Sequence, residues 1–172
     1  IARELEKVLA REGITLHLDT HLAHAHKQAG AKVVEFTESG HLASVTAEEI
    51  FHGLGRVPNT GTLRLDRAGV VTNQGRIETD EHMRTSAPHI YAAGDCAGPY
   101  EIVHVAIQQG EIAAHNIARP ASPRAIDYRL LTSIVFTDPQ VATVGYSEAQ
   151  ARHDGVETDS RTLTLDNVPR AL

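Results

Sequence analysis

The chain has 172 residues, 22 acidic against 16 basic side chains and a single cysteine. That length suits one domain or pieces of several. The scattered basic residues give nucleic acid no charged footing, no apolar run reaches the roughly 20 residues that span a bilayer, and one thiol cannot build an internal disulfide or a cysteine-based zinc site. A cytoplasmic protein that binds neither nucleic acid nor membrane is the expectation. Ile1 in place of Met, and an end at Asn167-Val168-Pro169-Arg170-Ala171-Leu172, lead us to expect an internal piece of a longer protein.

In chain order, Ile1, Leu5, Val8 and Leu9 recur at helical spacing among charged residues and predict an amphipathic helix that Gly13 stops. From about residue 14 to 46 the period drops to two, with a turn at Glu38-Ser39-Gly40, and predicts a strand meander. Glu49 to Gly55 reads as a strand running into the loop Gly55-Arg56-Val57-Pro58-Asn59-Thr60. Leu63 to Val71 and Gly75-Arg76-Ile77 read as connecting pieces. His89-Ile90-Tyr91-Ala92-Ala93 reads as a buried strand closed by Gly94-Asp95. Ile102 to Ile117 is helical. Arg119-Pro120-Ala121-Ser122-Pro123-Arg124 reads as a linker, followed by strands at Leu130 to Phe136 and Val141 to Val144. Ser147-Glu148-Ala149-Gln150 is a capping box that opens a short helix, and Thr158 to Leu165 alternates again.

The segment from Thr85 to Asp95 carries the most chemistry. An apolar strand delivers Gly94, where a ligand can approach the backbone, and then Asp95, whose carboxylate can accept hydrogen bonds from sugar-like hydroxyls. A helix begins just beyond, with its free N–H groups and positive dipole end turned to the same place. An isolated Gly-Asp would more often be a turn with Asp as a helix cap.

Four histidines, His17, His21, His24 and His26, fall within ten residues and could tempt a metal assignment. Strand alternation puts His24 and His26 on one face and His17 and His21 on the other, so a solvated His-rich face is the expectation. Cys96 reads as a small packing residue. Tyr91 and Tyr146 read as core or interface residues.

The eleven residues Thr85 to Asp95 resemble the second flavin-binding signature of the FAD- and pyridine-nucleotide-dependent disulfide oxidoreductases. Gly53 to Thr60 resembles the crossing between the nucleotide and FAD domains of the same family, departing from it at Gly53 and Leu54. Ile134 to Glu148 resembles the opening of the family's interface domain, and the match from there to Leu172 is closest to the branch that reduces Hg(II).

The resemblance implies an α/β fold: partial doubly wound nucleotide-binding domains followed by the start of an α+β dimerisation domain. It divides the chain into the end of an NAD(P)H-binding domain (1–48), the C-terminal part of an FAD-binding domain (49–120) and an incomplete interface domain (126–172). It further implies FAD and NADPH as cofactors and a homodimer passing electrons to Hg(II), with Asp95 on the ribitol chain, Gly94 giving backbone approach, the helix start near His104 and Val105 facing the flavin pyrimidine edge, and Gly55 and Arg56 lining the crossing. The redox cysteine pair lies upstream in this scheme, so no catalytic residue and no metal ligand is assigned within the chain. A dihydrolipoamide-dehydrogenase-like or other disulfide reductase is the alternative within the same chemistry, and a non-catalytic dimerising fragment the alternative outside it.

Overall fold

The computed structural model of the chain describes residues 2–164. These form two compact units, one running to Arg56 and the other starting at Val57.

The first unit opens with α1 (Ala2–Arg11). Gly13, at φ +84°, ends it in a Schellman arrangement: its N–H donates to Ala10 O at 3.1 Å and that of Ile14 to Leu9 O at 3.0 Å, which satisfies the last carbonyls of the helix. Three antiparallel strands follow in the order β1-β2-β3: β1 (Thr20–Gln28), β2 (Ala31–Glu38) and β3 (His41–Ala47). The meander is therefore present, starting at Thr20. Val33 and Phe36 of β2 are its buried residues, as befits the central strand.

The histidine alternation read from sequence is corrected by the register. His21 lies opposite Thr37, but the ladder then slips between Leu22 and His24, so that His24 lies opposite Glu35 and His26 opposite Val33. Opposite residues of an antiparallel pair share a face, and Thr37, Glu35 and Val33 alternate along β2. The extra residue, Ala23, makes a bulge that returns His21 to the face of His24 and His26. His24 and His26 stack at 5.5 Å, 18° from parallel. His17 stands apart from them, its ring 5.0 Å from that of Phe36 and its Nδ1 3.2 Å from a Glu38 carboxylate oxygen. Among the described residues no group of three or more His, Cys, Asp or Glu stands where it could hold a metal ion.

No strand forms over 49–55. An apolar run becomes a strand only beside a partner ladder, and Phe51 (98 %) and Leu54 (77 %) remain almost fully exposed.

The second unit carries the short hairpin β4 (Thr72–Asn73) and β5 (Arg76–Ile77), the long helix α2 (Val103–Ala118), the hairpin β6 (Thr132–Val135) and β7 (Val141–Val144), and α3 (Glu148–His153). The strand expected at 89–93 is absent. Only Tyr91 makes a bridge, to Arg84, because the chain turns back on itself: Ile90 N donates to Ala87 O and Thr85 N to Ile90 O. The Thr85 hydroxyl, within 3.1 Å of both Ala87 O and Ile90 O, closes the turn from inside. Two apolar clusters flank this segment. Val70, Ile77, Ala87, Ala92 and Ala97 form one, with Cys96 packed on it; Met83, Ile112 and Ala113 form the other, with Tyr91 and Ile126.

The proline-rich stretch after α2 lacks regular structure, yet it is tied down. Asn116, 2 % exposed, donates to His82 O and Arg124 O at 2.9 Å and accepts from Arg124 N at 2.7 Å. The capping box at Ser147 forms as expected, with Gln150 N donating to Ser147 Oγ and Ser147 N to Gln150 Oε1. Residues 158–164 carry no regular element, and Leu165, the end of the expected alternation, lies outside the described residues. Every ladder named above is antiparallel.

Candidate cofactor-binding site

Four of the six residues singled out from sequence meet in the second unit. Gly94 is buried and sits at φ +81°, a conformation that side chains with a Cβ avoid. A Cβ there would stand 3.4 Å from Ala106 Cβ on α2, an ordinary contact, so it is the torsion that calls for glycine and the turn packs directly on the helix. Asp95 follows, half-buried, as the first residue of the turn Asp95–Ala97. Ala97 N and Gly98 N both donate to Gly94 O, at 2.9 and 3.0 Å, which tightens the turn. Ile77 N donates to Cys96 O at 2.8 Å, fastening it to β5.

The far end of the turn is held by charge. Gly98, at φ +67°, lies beneath the guanidinium of Arg76: a Cβ at 98 would fall 2.1 Å from Arg76 Nη1. Arg76 Nη2 in turn donates to Glu101 Oε1 at 3.0 Å, in a pair about two-thirds or more buried on both sides.

α2 begins a few residues later. Its cap position is Ile102, extended at φ −126°, ψ 131°, with no side-chain oxygen to offer, so the first N–H groups of the helix have no side-chain cap and remain suited to an electron-rich partner. Val105 is 1 % exposed and belongs to the core. The His104 imidazole is also committed: its Nε2 lies 2.9 Å from Thr132 O. A carbonyl only accepts, so Nε2 carries the proton. What 104 and 105 can offer a ligand is therefore main-chain N–H.

Gly55, at φ +94° with no atom within 4 Å of where its Cβ would be, and exposed Arg56 close the first unit. Thr60, a few residues on, is anchored in the second unit, 5 % exposed with its hydroxyl donating to Gly75 O in the β4–β5 turn. Sequence reasoning passed over it. It also passed over Gln109, which is fully buried and binds the turn directly: Gly94 N donates to Gln109 Oε1 at 2.6 Å, and Gln109 Nε2 donates to Gly98 O at 2.8 Å and to the Tyr128 hydroxyl at 2.7 Å. The signal was present. Gln109 stands on the same stripe of α2 as Val105, Ile112, Ala113 and Asn116, and a polar residue on an apolar stripe needs a buried partner.

Close by, Asp80 shapes the preceding turn. Its carboxylate accepts from His82 N and Arg84 N at 2.9 Å and from Arg84 Nε at 3.0 Å. Burial pushes this carboxyl up, but the two backbone N–H groups and the guanidinium together outweigh it and hold it below its ordinary value. A cavity of about 540 Å³ opens beside β5 and Gly98, walled by Asp80, Met83, Pro99 and Tyr128 among others. Neither Asp95 nor the first turn of α2 lines it.

Gly94, Asp95 and the start of α2 lie within a stretch that matches a known protein family. Residues 1–110 match the pyridine nucleotide-disulphide oxidoreductases, and residues 131–172 the dimerisation domain of the same proteins. The chain belongs to the pyridine nucleotide-disulphide oxidoreductase family. Among characterised relatives, a mercuric reductase of Shigella flexneri is 48% identical over 94% of this chain and 28% of its own length. A dihydrolipoyl dehydrogenase of Geobacillus stearothermophilus is 34% identical over the whole chain and 36% of its own length. In three dimensions the chain resembles the HOCl-induced flavoprotein disulfide reductase RclA of Escherichia coli, with a TM-score of 0.81 and 25% identity over 99% of this chain and 38% of that one. The chain thus spans about a third of the length of the relatives it matches. No helix among the described residues is long and apolar enough to cross a membrane.

Proposed function

We propose that this chain is part of a longer flavoenzyme, the parent protein, that oxidises NADPH and reduces Hg(II) to the elemental metal, and that it contributes the returning portion of the FAD site together with the beginning of a homodimer interface. The balance is NADPH and Hg(II) giving NADP⁺, Hg(0) and one proton. The observation that carries the reading is the Gly94-Asp95 turn set against the uncapped start of α2, in a chain nearly half identical to a mercuric reductase over most of its length.

The residues present fit FAD. Gly94 takes the positive φ that aims the turn, the Asp95 carboxylate offers acceptors to polyol hydroxyls, and the main-chain N–H groups of 103–105 offer donors and a positive dipole end to an electron-rich ring edge. Gly55 and Arg56 belong, in this reading, to the crossing between nucleotide domains. Bound FAD supplies the two-electron relay between nicotinamide and a cysteine pair. The protein residues named here orient and hold; no proton or electron moves on any of their side chains. Soft thiolates suit Hg(II) far better than oxygen or nitrogen ligands, and the domains 1–48, 49–120 and 126–172 assign such thiols to the parent protein outside this chain. Cytoplasmic location belongs to the same proposal, since NADPH and reduced thiols are found together there.

The test is NADPH oxidation by the parent protein with Hg(II) or with lipoamide as acceptor, alongside Asp95→Ala. Turnover dependent on Hg(II) and loss of flavin in the variant support the reading. Turnover with lipoamide and none with Hg(II) moves the assignment to a disulfide reductase, as the similarity to dihydrolipoyl dehydrogenase allows.

A further inference from the structure

We infer that Gln109 is a positioning residue: its buried carboxamide sets the shape of the Gly94–Gly98 turn and couples that turn, through Tyr128, to the segment that leads into the dimerisation hairpin. The inference rests on the reading of Gly94 and Asp95 as the flavin-binding turn.

Gln109 is 0 % exposed on the buried stripe of a helix, where an apolar side chain would pack without any need for partners. It instead spends its amide on three groups from two separate segments. The orientation of that amide is dictated by its neighbours. Gly94 N–H can only donate and Gly98 C=O can only accept, so turning the amide over would break both bonds. One side chain thereby fixes the N–H that opens the turn, at 2.6 Å, and the carbonyl that closes it, at 2.8 Å. These are the two ends of the segment that presents Asp95. Backbone bonds from Ala97 and Gly98 to Gly94 O narrow the turn, but none of them reaches the helix; Gln109 does.

The second amide hydrogen goes to the Tyr128 hydroxyl. The Tyr128 ring also stands edge-on to Tyr100, centroids 5.2 Å apart at 67°, two residues beyond Gly98. Leu131 N donates to Tyr128 O, and Gly145 N, at the end of β7, donates to Leu131 O. Hydrogen bonds joined through the covalent frames of Tyr128 and Leu131 therefore lead from Gly94 N–H through Gln109 to the β6–β7 hairpin, inside the stretch that matches the dimerisation domain. A shift of Tyr128 when that hairpin pairs with a second subunit would be felt at the turn.

The experiment uses the parent protein with Gln109→Leu, Gln109→Glu and Tyr128→Phe, reading amide hydrogen exchange in the flavin-free form and the FAD dissociation constant and flavin absorption spectrum in the loaded form. In Gln109→Leu we expect exchange at Gly94 and Gly98 to accelerate by about 10-fold while the last two turns of α2 keep wild-type rates, with FAD binding weakened by about the same factor. Tyr128→Phe, a mild change that preserves the ring, shifts the same amides less and in the same direction. Gln109→Glu keeps the acceptor for Gly94 N–H, but only its protonated form can donate to Gly98 O, so its flavin spectrum and FAD affinity return toward wild type as pH falls; a residue that only fills space has no such recovery. Wild-type exchange at Gly94 and Gly98 in both Gln109→Leu and Tyr128→Phe, or acceleration spread evenly along α2, overturns the inference. Faster exchange at the turn with unchanged FAD affinity overturns the flavin reading of Gly94 and Asp95 and the positioning role with it, leaving the Gln109 tie itself in place, so the two failures are told apart.

Discussion

The meander of the first unit and the Thr85–Arg124 region of the second are built by opposite means. In the meander, backbone ladders between β1, β2 and β3 supply the order, and its side-chain bonds, such as His17 with Glu38 and Lys32 with Glu49, are exposed additions. Between Thr85 and Arg124 there is one helix and a single bridge, and buried polar side chains do what ladders do elsewhere: Thr85 closes one turn, Gln109 the next, and Asn116 the exit from α2. A chain held by ladders tolerates loss of most individual side chains. One held by a few buried amides does not.

The sharpest way to break this contrast is Asn116→Ala. It leaves His82 O and the Arg124 N–H without their partner, while Arg124 O keeps the His82 imidazole, and we expect a loss of about 3 kcal/mol in denaturant unfolding, since each buried polar group left unpaired costs about 1–3 kcal/mol. Gly98→Ala comes next, at about 2 kcal/mol, because a Cβ is disfavoured at positive φ by about 1–2 kcal/mol and would displace Arg76 from Glu101. The change in midpoint should be suppressed in an Arg76→Ala background, which removes the clash and leaves the torsional part.

Asp80→Ala should cost about 1 kcal/mol, a value kept low because the side chain is partly solvated and such interactions are screened. Its pH dependence has a definite sign. The folded-state pKa lies below the ordinary value, so the stabilisation is complete above the usual carboxylate range and is lost as pH falls through the folded-state pKa. Asp127, held down to about 2 by Arg129, follows the same sign, its contribution fading from the usual carboxylate range down to about pH 2. Wild type should therefore lose stability on acidification more steeply than Asp80→Asn, measured as unfolding midpoint against pH. Ser147→Ala removes a cap worth about 1 kcal/mol, read as earlier fraying of α3 (Glu148–His153) in amide exchange. At the bottom, His17→Ala in the meander should change stability by no more than about 0.5 kcal/mol; a loss as large as that of Asn116→Ala would end the contrast drawn here.

The same contrast explains what could be read from the chain beforehand. Helices announce themselves by local periodicity and caps, so α1, α2 and the capping box at Ser147 were legible. The strands β6 and β7 were legible, at Leu130 to Phe136 and Val141 to Val144, though not their pairing as a hairpin. Glu49–Gly55 and His89–Ala93 were misread as strands because apolar runs signal burial or pairing without saying which partner exists. In the second case the segment is buried through Ala92 and through packing of Tyr91 on Met83, Ile112 and Ala113, without a ladder. At the candidate site, Gly94 and Asp95 stand in a motif whose conformation depends on neighbours in sequence, which is why sequence reasoning could single them out. Gln109 and Thr60 were missed because their partners lie 15 residues away, and a periodicity argument sees only the helix face a residue occupies. His104 and Val105 were located at the helix start, but their side chains turned out to be committed to Thr132 and to the core.

The slip in the ladder at Ala23 has a consequence for how this sequence can change. Ala23 is surplus to the pairing: the residues on either side of it already take partners in unbroken succession along β2. Loss of the single codon for Ala23 would therefore leave each partner and each facing in place, and straighten the strand. An insertion elsewhere in β1 would, by contrast, turn every side chain on one side of it to the opposite face. The meander thus has one position where its length can shrink without rewriting the rest, and a change of residue count in this segment is expected to fall there first.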